Sequence, residues 1–159
     1  MENYAFAEKC KPVVGIVPKV DMFDAGEVSD VVLARNFGKV VFILNILSAG
    51  TNTGTGTIVI NASAANDGAS PTAIPFRYTR VAAGSETVGD LTAATAAGFT
   101  TTAGESAVYI IEVDPRDLPD AKPYVHLAAT EVVNDPVTGA CTILLLEPRF
   151  APTYPNVLS

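Results

Sequence analysis

The chain has 159 residues, of which 48% are hydrophobic and 17% charged, with a formal net charge of −7 and a mean hydropathy of +0.31. A chain of this length reads as one domain that buries most of its unfolded surface without disulfide staples. Ten basic against 17 acidic residues argue against a nucleic-acid binder and against an anionic membrane surface, and no run of about 18 apolar residues marks a transmembrane helix.

In chain order, Met1 to Cys10 lacks the basic start and continuous apolar stretch of a signal peptide, so the protein is expected to be made and kept in a cytoplasm, or to leave it by a route other than secretion. Val13 to Val17 lies between Pro12 and Pro18 and reads as an edge or arm segment. Asp30 to Ala34 is a short apolar strand. Lys39 to Ser48, rich in Val, Ile and Phe, is the strongest strand candidate. After the turn cluster Ala49 to Gly54, Thr55 to Ala62 alternates strictly, so the two strands read as a hairpin with a longer loop.

Asn66 to Pro71 is a further turn. Ile74 to Val81 alternates again, with Pro75 at a strand start or edge. Ala82 to Ser106 is made almost wholly of small residues; within it, Asp90 to Gly98 fits a short helix or a strand–turn–strand. Ala107 to Val113 is a strand that stops at Asp114-Pro115. A Pro- and Asp-rich connection follows, then a strand from Tyr124 to Ala129 with a break near Thr130-Glu131. Asn134 to Gly139 is a turn, and Ala140 to Leu146 is the last strand. About eight to ten short strands at this spacing predict an all-β fold, a single-domain antiparallel β-sandwich or barrel. Its expected divisions are an N-terminal arm over 1–18, a core domain over 19–147 and a C-terminal tail over 148–159. The inward face is expected to draw on Val41, Ile43, Ile58, Ile60, Phe76, Val108, Ile110, Leu127, Ile143 and Leu145, because i and i+2 share one side of a pleated strand.

Residues able to carry chemistry are sparse. Asp114, Asp117 and Asp120 recur every third residue and suit either a Ca²⁺ loop or turn-capping aspartates. Glu112 and Asp114 share a strand face, but no partner base accompanies them. His126, the single histidine, would need a nearby nucleophile to matter for catalysis. Without a catalytic constellation the chain reads as non-enzymatic, with no cofactor and no metal. Cys10 and Cys141 suit two free thiols or a bridge within or between chains. The terminal segments hold Tyr4, Phe6, Phe150 and Tyr154 among prolines. With Cys10 they are the candidate partner contacts, since aromatics bury much area for little lost entropy. The apolar surplus implies that part of the surface is covered, so a homo-oligomer is expected.

Asn36-Phe37-Gly38-Lys39-Val40-Val41-Phe42, the Gly/Thr loop and the Thr57 to Ile60 strand carry a family likeness. Ile74 to Tyr78, Ala97-Gly98-Phe99 and Tyr109 to Asp114 extend it, so that it covers most of residues 28–147. The chain resembles tailed-bacteriophage virion structural proteins of the head decoration (capsid cement) type. The resemblance implies a β-rich subunit, trimeric, located in the virion after assembly in the host cytoplasm, whose partners are the major capsid protein or other virion proteins. A head–tail neck or tail component remains open. So does a carbohydrate-binding β-sandwich, for which the Thr-, Asn- and Asp-rich loops speak and the lack of Trp speaks against.

Overall fold

The computed structural model describes residues 9–48 and 51–149. Within them lie twelve strands: β1 (Cys10–Lys19), β2 (Glu27–Val28), β3 (Val32–Leu33), β4 (Phe37–Leu47), β5 (Thr55–Ser63), β6 (Thr72–Ile74), β7 (Phe76–Ala82), β8 (Thr92–Ala94), β9 (Phe99–Thr100), β10 (Ala107–Val113), β11 (Tyr124–Val133) and β12 (Thr138–Pro148). The first sheet runs β1-β12-β4-β10-β7-β8. The second runs β2-β11-β5-β6, with β3 also on β11 and β9 also on β5. All pairings are antiparallel and the sheets pack face to face, so the all-β sandwich expected from the sequence is the fold.

Alternation explains the core. On β12 the odd residues Cys141, Ile143 and Leu145 are buried, and on β11 so are Val125, Leu127 and Ala129. Ile58 and Ile60 of β5 meet Phe42 and Leu44 of β4 within the same core. Met22 and Phe23, both buried, plug one mouth of the sandwich, where Met22 N–H donates to the Val137 carbonyl at 2.8 Å. Phe23 lies so close over Gly56 that any side chain there would collide with its ring.

Four expectations change. Residues 10–18, read as arm, form most of β1 and pair with β12 from Cys10↔Leu146 to Lys19↔Gly139, so the domain starts near residue 10. The candidate contacts Tyr4, Phe6, Phe150 and Tyr154 lie outside the described residues. Strands β4 and β5 are not a hairpin: the connection crosses between sheets, because the apolar sides of both strands are satisfied by facing each other across the core. The expected strand 74–81 is split at Pro75, which cannot donate to a ladder. Thr72–Ile74 pairs in the second sheet and Phe76–Ala82 in the first. The inward phase of β4 and β10 is the reverse of that expected: Phe42, Leu44 and Ile46 point inward, with Tyr109, Ile111 and Val113. Ile43, Val108 and Ile110 are half-buried on the other side, and Val41, although buried, lies there too. The remaining ambiguity resolves as strand–turn–strand, β8 to β9.

Candidate functional site

The reversed phase creates the most distinctive surface of the molecule. The side of the first sheet turned away from the core carries Leu144 of β12, Val41 and Ile43 of β4, Val108 and Ile110 of β10, and Val81 of β7. These residues are brought together by the pairings Leu144↔Val41, Ile110↔Ile43 and Val108↔Val81. Polar groups ring this apolar centre. The Lys39 Nζ donates to Glu112 Oε2 at 2.8 Å along its lower border, Arg77 stands beside Glu112, and Thr142 and Asn45 complete the rim. An apolar centre inside a polar rim is the anatomy of a protein–protein interface. The second sheet lies on the opposite side, and the helical turn Pro115–Asp117 sits at the end of the sandwich.

The two ends of the sandwich differ in charge. The upper end, where β1 finishes and β12 begins, holds eight carboxylates (Asp21, Asp24, Glu27, Glu86, Asp90, Glu105, Glu131, Asp135) against two cations (Lys19, Arg80), a net of −6. The lower end holds eight cations (Lys9, Lys11, Arg35, Lys39, Arg77, Arg116, Lys122, Arg149) against six carboxylates (Asp67, Glu112, Asp114, Asp117, Asp120, Glu147), a net of +2. Asp30 lies between the ends, and Glu2 and Glu8 fall outside the described residues; together they complete the overall −7.

The cysteines are free and buried. Cys141 points into the core, and burial pushes its thiol pKa up to about 12. Cys10 is paired with Leu146 and lies on the opposite face of the sheet. Because Cys141 pairs near Ile16, the two are about five residues apart along the ladder, roughly 17 Å at strand rise. A bridge needs Cα atoms within about 7 Å, so Cys10 and Cys141 of one chain are not joined. Cys10 itself is 1% exposed, and burial raises its pKa, so its thiol is held away from an outside partner.

Asp114 caps the Pro115–Asp117 turn. Its Oδ1 accepts from the Arg116 N–H at 2.9 Å, its carboxylate also takes the Arg116 guanidinium, and these bonds hold its pKa at about 2. Asp117 and Asp120 do not join it as a ligand set; among the described residues no three His, Cys, Asp or Glu side chains gather as metal ligands would. Glu112, in its ion pair with Lys39, lines one shallow depression together with Asp114 and Asp117.

His126 is 4% exposed on the outer side of the second sheet, under Gly68 and Val31, and its Nδ1 has no hydrogen-bond partner among the described residues. Burial pushes its pKa below the usual 6.5. The unfolded chain therefore takes up the proton first. Stability is full above about pH 6.5 and falls as the pH drops from there towards the folded value. Asp114 acts in a separate window, losing its contribution as the pH falls from 3.8 towards 2. Urea unfolding at pH 7.5 and 5.5 is expected to show a loss in the wild type that shrinks in His126→Leu.

One pocket was not foreseen from the sequence. A cavity of about 350 Å³ opens between β7, β8 and β9, floored by Tyr78, Phe99 and Tyr109 and rimmed by Thr87, Asp90, Thr92 and Thr102. Tyr78 and Phe99 stack at 4.0 Å, and Arg80 Nη1 donates to Glu105 Oε2 and to Thr102 Oγ1, each at 2.7 Å. Its aromatics come from three separate strands, so only the sheet crossing after β8 reveals their meeting.

Among the described residues no helix is long and apolar enough to cross a membrane. Compared with models of protein families and with curated proteins, the chain matches neither.

Proposed function

We propose that this protein is a non-enzymatic structural subunit of a virion, a decoration or cement protein that binds and stabilises a phage head. The apolar outer face of the first sheet carries the reading. A half-buried patch of Ile43, Val81, Val108, Ile110 and Leu144 around the buried Val41, bordered by ionic and hydroxyl groups, is costly to leave in water and favourable to cover. The resemblance to decoration proteins names the cover as the major capsid protein and suggests a trimer on the shell.

The experiment is attachment of the purified chain to capsids that lack it. Ile110→Glu, which sets a charge in the middle of the patch, is expected to weaken attachment by at least tenfold while leaving the circular dichroism spectrum of the free chain unchanged. Attachment equal to wild type would remove this face from the reading.

The Tyr78–Phe99–Tyr109 pocket favours a second reading, a carbohydrate-binding sandwich. Aromatic carbon beside several hydroxyls and the Asp90 carboxylate suits a sugar ring. Titration with host cell-wall glycans, followed by chemical shifts of residues 78–109, separates the two.

A further inference from the structure

The charge division between the two ends has a counterpart in exposed apolar side chains. Val20 (79% exposed) and Leu47 (65%) flank Thr138 at the acidic end: Leu47 pairs with Thr138, whose hydroxyl donates to the Val20 carbonyl at 3.2 Å. Val132 and Val133 are exposed on the strand just before the turn to Thr138, and Val88 and Leu91 are exposed in the loop between β7 and β8. Around them Asp21, Asp24, Glu131 and Asp135 have no ion pair among the described residues.

The lower end offers what this end lacks. A depression of about 270 Å³ there is walled by Ile74, Pro75, Phe76 and Val113 and bordered by Lys39, Arg77, Glu112, Asp114 and Asp117; Glu112 and Asp114 are already paired with Lys39 and Arg116, whereas Arg77 has no ion pair among the described residues. Arg35 and Arg149 stand exposed at the same end. β1 starts at this end, with Cys10 opposite Leu146, and β12 finishes here, with Pro148 opposite Phe37.

We infer that the partner of the acidic, apolar end is the basic end of a second copy, in a head-to-tail contact. Val20 and Leu47 of one copy enter the Ile74–Phe76 depression of the next, and Asp21, Asp24 and Glu131 meet Arg35 and Arg77. The contact is heterologous, so each copy keeps one unused end and the association closes into a ring or grows by addition. Opposed charge gives it a preferred orientation and makes it sensitive to salt, because like ends repel. The inference does not depend on the capsid reading; it requires only this chain.

Sedimentation of the full chain tests it, with two charge-reversed variants. One is reversed at the upper end (Asp24→Lys with Glu131→Lys) and the other at the lower end (Arg35→Glu with Arg77→Glu), all on exposed or half-exposed positions. The wild type is expected to associate at about 50 mM salt and to weaken at least tenfold at about 500 mM. Each variant alone is expected to associate at least tenfold more weakly, because the reversals take the upper end from −6 to −2 or the lower end from +2 to −2 and so weaken or invert the opposition of charge. Mixing the two variants is expected to restore association, since the unaltered lower end of one meets the unaltered upper end of the other. A circular dichroism spectrum matching wild type certifies that each variant is folded. If either does not fold, Asp24→Asn and Arg77→Gln replace the reversals, and each is expected to weaken association several-fold. A wild type that is monomeric at every concentration and salt would overturn the inference. So would variants that associate like wild type, or a mixture that stays monomeric.

Discussion

Replacing Phe42 with alanine is expected to lower stability by about 3–5 kcal/mol. Phe42 is fully buried at the centre of β4, with Ile111 of β10 and Ile143 of β12 as its ladder partners, and all three are inaccessible to solvent. The loss combines the transfer of the ring with the cavity left behind, since flanking strands tied on both sides cannot close in. With a urea slope of about 2 kcal/mol per molar, the unfolding midpoint falls by about 2 M. Ile43→Ala, one residue along but on the outer face, is expected to cost the free chain only about 1 kcal/mol. The pair tests the phase of β4 directly: equal losses would mean that the two sides of this strand are not distinct.

Gly98→Ala is expected to lower the melting temperature by about 10 °C, and Gly84→Ala by about 3 °C. Both glycines have φ +77, a backbone conformation that costs an alanine about 1–2 kcal/mol. They differ in surroundings. A methyl group on Gly84 would meet nothing within 4 Å, whereas on Gly98 it would run into the backbone carbonyl of Ile58. Relief would require the turn to move, and β9 would lift off β5, where Phe99 pairs with Ile58. Phe99 would then leave its stack on Tyr78, so the pocket beside β7 should open at the same time. Thermal melts of the two variants side by side check this; similar shifts would show that left-handed strain alone governs both sites.

Strand positions were legible because Val- and Ile-rich alternating runs are separated by Gly, Asn, Asp and Pro at nearly every turn. What was not legible is how the strands divide between sheets. Thr55 to Ala62 alternates equally well beside β4 or opposite it, and only long-range pairing with β11 decides. The inward phase was hidden for a related reason. Val40 to Leu44 is apolar at every position, so periodicity has no contrast to report. Pro75 was correctly placed where a ladder must break, yet its role as the switch from one sheet to the other needed the fold. The charge division is invisible in the chain order too. Lys39, Arg77, Arg116 and Lys122 are scattered in sequence and gather at one end because the strands between them alternate in direction.

The same doubly apolar stretch that obscured the phase of β4 is what gives the molecule its surface. A strand that needed only one buried side would not place Val41 and Ile43 on the outside of the sheet, nor pair them with Leu144 and Ile110. The central claim is that this outer face is where a partner sits. A cryo-electron-microscopy reconstruction of capsids mixed with the purified full chain tests it most directly. The account predicts density of the shell against the outer face of β4 and β10, with Ile43 and Ile110 in van der Waals contact with it. Bound subunits with that face open to solvent, or capsids that stay bare at saturating protein, would contradict it.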